Sequence, residues 1–522
     1  MRILRGSGRS AVVGIATLAM FVPGTTAVFA QTTEDPDPSE AAAAAAGWLA
    51  TQFADGERLE TTFDGQTYPD AGLTADAVFA LAGAGVAGDR IEAATDWLET
   101  QVASYTGDGS TETYAGATAK LILVAETTGR DATAFGDRDL VTQLAGLEDA
   151  DGRFSDASQW GDFSNALTQS LAIVALERAT ATGVSDAAVA FLADAACADG
   201  GIPEQFATDA CTSSVDATGF AVQAFLAADD AEAADAAVTW LLDQQAADGS
   251  FGGGGATANT NSTGLSAVAL AAAGEVEAAA AASAWLAGAQ YDCADVAPGA
   301  VPYAPTDEGD LKRATAQALP GLTGVGLFGT TGAGADADAP VLDCPYRFDD
   351  VNYRSPHARP ITELAEAGVV MGRNDGTFAP AEGVTRAQLA SFVGRAAGIE
   401  PATGETEFSD VPADHTHAGY IQALADAEVI SGYDDGTFRP SQVVRRDQAA
   451  ALIARWLGLD PVDTDRFTDI AGRTHRGLIN ALADAGVAYG TGDGSTYSPA
   501  RTLQRDQVAS LLHRAFEVAT AS

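Results

Sequence analysis

Lysine is almost missing from this chain. Its 28 basic side chains face 72 acids, only Lys120 and Lys312 are lysines, and the formal net charge is −44. Such a field repels phosphate backbones, which excludes nucleic acid as a partner. It bears on solubility more than on fold, keeping a surface well solvated. Histidine is missing from most of the sequence: His357, His415, His417, His475 and His513 are the full set, so residues 46–330 hold none. No Cys-x-x-Cys pair occurs, and no histidine stands near any cysteine in sequence. Zinc therefore lacks a ligand set, and no metal or cofactor is expected. Beyond the N-terminus no run reaches the ~20 apolar residues that a membrane span needs.

What is present begins with an export signal. Arg2, Arg5 and Arg9 precede an apolar stretch, Ala11 to Val22, that is too short to span a bilayer. Val28 and Ala30 place small residues before a cut at Gln31, so residues 1–30 read as a signal peptide. Residues 31–45, with Pro36 and Pro38, read as a disordered lead. An exported chain with four cysteines favours disulfides. Three connectivities are possible, and the most local, Cys197–Cys211 with Cys293–Cys344, is preferred.

Repeats organise the rest. From residue 46 to 323 a unit of 45–49 residues recurs six times, its first helix marked by Trp48, Trp97, Gln143, Phe191, Trp240 and Trp285. Asp-Gly turns follow at a constant offset at 151–152, 199–200 and 248–249, where glycine supplies positive φ. A second helix comes next, carrying Thr74, Thr118, Thr218, Thr263 and Thr315, with Thr168 one place out of register. These second helices are apolar on nearly every face, which predicts burial on all sides. Small side chains predict a narrow or shallow centre and an almost wholly helical ring.

The run Asp248-Gly-Ser-Phe-Gly252 and the aromatic-led first helices resemble the α/α-toroid superfamily of terpenoid cyclases and protein prenyltransferase β-subunits. The resemblance implies an (α/α)6 toroid, six helical hairpins closed into a ring. The catalytic signatures of those enzymes are missing: there is no Asp-x-Asp-Asp acid, no Asp-Asp-x-x-Asp motif and no zinc triad. The glycine run 252–255 has no following lysine, so it is not a phosphate loop. Asp162 and Asp216 read as solvated loop acids. Residues 324–347, rich in Gly, Ala and Asp, read as a linker.

From Phe348 the period changes to 60 and then 59 residues. The openings are Phe348-Asp-Asp-Val351, Phe408-Ser-Asp-Val411 and Phe467-Thr-Asp-Ile470. A helix follows each, then Gly372, Gly432 or Gly490, then an Asp-Gly turn closing on Phe378, Phe438 or Tyr497. Thr385-Arg-Ala-Gln388, Arg445-Arg-Asp-Gln448 and Gln504-Arg-Asp-Gln507 then open a second helix. This pattern resembles a triple S-layer homology region: 348–400, 406–460 and 465–519. The chain is thus expected to be all-α, a toroid followed by three mainly helical repeats.

Arg386, Arg446 and Arg505 stand at helix starts, where a guanidinium fork and free N–H donors suit an anion. The resemblance implies a ligand class: a secondary cell-wall polysaccharide, often carrying ketal-linked pyruvate, held between repeats. Gly372, Gly432 and Gly490 allow close approach, either of ligand or of a neighbouring helix. Asp350, Asp410 and Asp469 read as N-caps or turn residues before they read as ligand contacts. The Gln at the end of each motif departs from the family's Glu, and Arg445 and Gln504 are poor caps. Asp375-Gly376, Asp435-Gly436 and Asp493-Gly494 read as tight turns rather than calcium loops, and His415 and His417 as exposed.

The whole then reads as a secreted cell-surface protein anchored to an anionic wall polysaccharide, presenting a non-catalytic ring with an unknown ligand. No membrane partner is expected after signal removal. The alternatives are a wall-anchored enzyme with a cyclase-like ring and a lattice-forming surface-layer protein.

Overall fold

The computed structural model describes residues 37–206, 210–253, 257–373 and 375–520. The export signal and the first part of the lead lie outside these residues. The chain divides between Thr362 and Glu363 into two compact units.

Among the described residues of the first unit, twelve helices alternate between two rings. In chain order they are α1 (Pro38–Ala50), α2 (Ala71–Ala84), α3 (Gly88–Thr106), α4 (Ala115–Thr128), α5 (Leu140–Ala145) and α6 (Ala166–Ala179), then α7 (Asp186–Asp194), α8 (Val215–Ala227), α9 (Ala231–Gln244), α10 (Thr260–Ala273), α11 (Val276–Ala289) and α12 (Leu311–Thr323). The even-numbered helices form the inner ring. Each packs on the next, and α12 packs on α2, so the ring is closed. Trp48, Trp97, Gln143, Phe191, Trp240 and Trp285 all fall on the outer, odd-numbered helices.

Sequence explains the sorting. The inner helices are mostly apolar and buried on most faces, and residues such as Val78, Leu121, Ile122, Leu123, Ile173 and Val222 are fully buried. Each such Leu or Ile contributes about 1.5–3 kcal/mol through burial. Glycine permits the tightest inner contact: a Cβ on Gly321 would stand 2.6 Å from the Gly264 Cα. The Asp-Gly turns need glycine twice over. Gly152 and Gly249 have φ of 89° and 90°, and a Cβ there would meet the backbone of the next outer helix at 2.2 and 2.4 Å.

Buried threonines tie four of the turns to their inner helices. Thr74, Thr218, Thr263 and Thr315 Oγ1 accept the N–H groups of Leu59, Ile202, Phe251 and Val301 at 2.9–3.0 Å. In the third unit Gln169 takes this place, with its Oε1 2.9 Å from the Phe154 N–H. That substitution explains why Thr168 stood out of register.

Three features differ from expectation. The first helix starts at Pro38, inside the expected lead, because Asp37 caps it by accepting the Ser39 N–H and Pro38 sits at its first turn. An antiparallel hairpin, β1 (Glu60–Phe63) and β2 (Gln66–Pro69), interrupts the helical pattern; it turns at Asp64-Gly65, both at positive φ. Residues 324–347 run along the ring. Leu327 N–H donates to Gln223 Oε1, Gly332 N–H to Thr127 O and Asp336 N–H to Gly85 O. Cys197 is bonded to Cys211, and Cys293 to Cys344.

The second unit holds three copies of one helix pair. The pairs are α13 (Ala358–Glu366) with α14 (Arg386–Ala396), α15 (Ala418–Asp426) with α16 (Arg446–Trp456), and α17 (Arg476–Asp484) with α18 (Arg505–Thr520). A cycle of backbone bonds closes them. Val444 N–H donates to Val384 O, Leu503 N–H to Val444 O, and Val384 N–H to Leu503 O, at 2.9–3.1 Å. Three short extended segments thus form a triangle just before the second helices.

Candidate functional site

The same triangle places the three arginines. Each leaves the first turn of its helix and reaches the following repeat, the third reaching the first. Arg386 Nε donates to Phe438 O at 2.8 Å, Arg446 Nε to Tyr497 O at 2.8 Å, and Arg505 Nε to Phe378 O at 2.7 Å. A second donor of each reaches Ser431 O at 3.5 Å, Tyr489 O at 3.1 Å and Met371 O at 2.9 Å. Each guanidinium lies 4.5 Å from the ring of the aromatic whose carbonyl it holds. The three are not equivalent: Arg505 is buried, whereas Arg386 and Arg446 are half-buried.

The expected free N–H donors are not there. The N–H of Arg386, Arg446 and Arg505 itself donates to Gln442 O, Arg501 O and Glu382 O, each at 2.9 Å. The next N–H in each helix, on Ala387, Asp447 and Asp506, donates to Pro440 O, Pro499 O and Pro380 O. Closing the triangle spends the donors that an isolated helix start would offer an anion. What remains for a ligand is side-chain chemistry.

The other predicted positions fall around this frame. Asp410 accepts the N–H groups of Phe438 and Arg439, and Asp469 those of Tyr497 and Ser498, at 2.7–2.8 Å. Both carboxylates therefore clamp the turn that ends at the aromatic. A Cβ on Gly432 would stand 2.6 Å from the Phe408 ring, and one on Gly490 2.2 Å from Gly494 O. These glycines are required by their own repeat's turn, not by a neighbouring helix. Gly372 is half-buried. Gln388, Gln448 and Gln507 Oε1 accept the N–H three residues back at 2.9, 3.1 and 3.5 Å, so a neutral amide does the work of the family's Glu. Arg445 grips Asp447 through two 3.0 Å bonds. His417 is half-buried rather than exposed, bonded to Ser391 at 2.7 Å.

Sequence reading missed a second arginine set, nine residues after the first: Arg395, Arg455 and Arg514. Its constant offset was the available signal. Arg395 and Arg514 Nε donate to Val369 O and Val487 O at 2.8 Å. Arg455 is instead exposed. It shares with Arg386 a cleft of about 200 Å³, lined also by Ser431, Gly432, Tyr433, Gln448 and His475. Among the described residues no carboxylate lines this cleft. Burial pulls the Arg386 guanidinium below its ordinary pKa, with the nearby Arg439 charge acting the same way against Tyr433 and Asp410.

A second cavity lies in the ring, about 280 Å³ and lined by all six inner helices. Phe79, Leu167, Leu171, Phe220, Leu265 and Val268 line most of it, joined by the segment Val325–Leu327. Lys120 Nζ and Asp76 form a 2.7 Å ion pair in its wall. Burial opposes the Lys120 charge, but Asp76 and Tyr105 outweigh it and push the pKa up to about 12. Asp216 also lines this cavity, from the first turn of α8, and so is not a solvated loop acid. Asp162 is a loop acid held by Arg153 at 2.6 Å.

Comparison with known proteins bears on both units. The S-layer homology domain family model matches residues 347–390 and 407–450. The S-layer protein sap of Bacillus anthracis is 36% identical over 140 residues, which is 26% of this chain and 16% of that protein. The cellulosome-anchoring protein of Acetivibrio thermocellus is 32% identical over 144 residues, 26% of this chain and 32% of that protein. This chain thus spans about a sixth to a third of the length of these relatives. For the ring, the type II terpene cyclase MstE from Scytonema superposes over 55% of this chain and 98% of its own with a TM-score of 0.44 and 16% identity. The C-terminal unit carries S-layer homology domains, which place the chain at the cell surface. No helix among the described residues is long and apolar enough to cross a membrane.

Proposed function

We propose that the S-layer homology repeats anchor this protein to an anionic cell-wall polysaccharide, and that the ring presents a binding cavity outside the cell. The observation that carries the anchor is the cleft where the first two repeats meet His475 of the third. It holds two guanidinium groups, Arg386 and Arg455, and no lining carboxylate. In a chain of net charge −44, such a cleft is a local reversal of sign. A carboxylate on a sugar, as in a ketal-linked pyruvate, would take the outer face of Arg386 and the fork of Arg455. Tyr433, Gln448 and His475 supply hydroxyl, amide and imidazole groups for the sugar ring. Arg446 and Arg505, with Arg514 and Arg395 bonded to backbone, act first as struts between repeats.

Co-sedimentation tests the reading. The full chain should pellet with purified wall sacculi and stay in solution once the non-peptidoglycan polymer is stripped. Arg386→Ala with Arg455→Ala should release it, because losing a charged contact costs about 2–5 kcal/mol. Equal binding to intact and stripped wall overturns the polymer as ligand.

A further inference from the structure

The ring cavity has a chemistry of its own. A step of two residues turns a helix by about 200°. The side chains two positions from the outward-facing Thr74, Thr118, Gln169, Thr218, Thr263 and Thr315 therefore face the ring axis. Two positions after them stand Asp76, Lys120, Leu171, Phe220, Leu265 and Gln317, all lining the cavity. Two positions before, Leu167, Asp216 and Asn261 line it as well.

The cavity is a cup. Every connection from an outer to an inner helix leaves by one face: 51–70, 107–114, 146–165, 195–214, 245–259 and 290–310. At the opposite end Val325–Leu327, which follow α12, line the cavity. That segment is pinned by Gln223 on the Leu327 N–H and by Arg178, which donates to Leu327 O and Thr330 O. On the open face, Phe63 and Tyr68 of the hairpin and Trp160 and Phe163 of the 146–165 loop are exposed.

Polar groups inside the cup are unequally satisfied. Lys120 is matched by Asp76. Asp216 Oδ1 and Asn261 Oδ1, on the first turns of the adjacent helices α8 and α10, are buried and meet no donor among the described residues. A buried acceptor left unpaired costs the fold. A ligand that brings donors and one positive charge would remove that cost; an anion would add to it.

We propose that the cup binds a small organic ammonium with an apolar body, its N–H groups on Asp216 and Asn261 and its body against Phe220, Leu171 and Leu265. This rests on the reading of the ring as a binding module and names its ligand class. Calorimetry on the full chain tests it with four probes: 2-phenylethylammonium, 3-phenylpropan-1-ol, 3-phenylpropanoate and methylammonium. The first should bind one to one, and the other three more weakly by about tenfold or more, the range of a hydrogen bond to a charged group. Asp216→Asn should lower 2-phenylethylammonium affinity by about the same factor, leave 3-phenylpropan-1-ol unchanged and not lower the melting temperature. Asp243→Asn, an exposed acid on α9, should change neither and so controls for the acidic surface. Added salt should weaken the ammonium probe and spare the alcohol. Equal affinity for the carboxylate, or an ammonium affinity indifferent to Asp216→Asn, overturns the ligand class. No binding of any probe overturns the ring as a binding module.

Discussion

Arg505→Ala should unfold the repeats before it touches ligand binding. The residue is 7% exposed. Its Nε and one Nη hold Phe378 O and Met371 O at 2.7 and 2.9 Å, and its plane stacks on Phe378 at 4.5 Å. Phe378 is fully buried, so its carbonyl would lose a charged donor and gain no water; that costs about 1.5–3 kcal/mol. Met371 is 59% exposed, so its carbonyl can rehydrate at little cost. Loss of the stacked guanidinium adds roughly 1–2 kcal/mol. The total, about 3–5 kcal/mol, is a large part of the ~5–15 kcal/mol that holds a domain together. Arg386→Ala should cost only about 1–2 kcal/mol, since its second bond is long and its side chain half-exposed. Residues 345–522 contain a single tryptophan, Trp456, so urea unfolding of that fragment followed by its fluorescence gives both values. Wall binding should rank the other way, with Arg386→Ala the more damaging. The strut argument fails if Arg505→Ala unfolds at the wild-type urea midpoint, or if Arg386→Ala unfolds first.

Further outcomes follow from single contacts. Lys120→Met leaves Asp76 unpaired in the ring wall and should cost about 3–5 kcal/mol, whereas Lys120→Met with Asp76→Leu should recover most of it in thermal melts. His513 is raised in pKa by its hydrogen bond to Glu363. Its contribution is therefore full below the unfolded value of about 6.5 and fades as pH rises through the folded value. The stability gap between wild type and His513→Gln should accordingly be wider in mildly acidic urea titrations than in alkaline ones; a gap that widens with pH contradicts the pairing. Non-reduced peptide mapping should recover Cys197 with Cys211 and Cys293 with Cys344, and free thiols would count against both. Melting temperature should rise with sodium chloride, because screening relieves repulsion within a chain of net charge −44; a falling temperature would mean that ion pairs dominate.

Local chemistry determined a great deal by itself. Apolar helices alternating with acid-bearing ones marked two rings, and the Asp-Gly turns marked where each unit reverses, because glycine at positive φ is a property of the dipeptide. The S-layer homology repeats were legible as an ordered pattern, down to the arginine at each second helix. The start of α1 at Pro38 was legible too, in Asp37 and Pro38, but two nearby prolines read as a lead.

Closure decided the rest. No local signal says that Gln169 replaces a threonine, since the Phe154 N–H it satisfies lies across a turn. Nothing local says that Arg505 is a buried strut while Arg386 lines a cleft: their sequence contexts are nearly alike, and only the contact of the third repeat with the first separates them. The N–H donors at the helix starts are spent on carbonyls of the next repeat, so an anion site that each helix alone would offer disappears on assembly. Asp216 looked like one acid among many. Its meaning comes from the angle by which α8 turns it into the ring cavity that Asn261 also lines, where its Oδ1 meets no donor among the described residues.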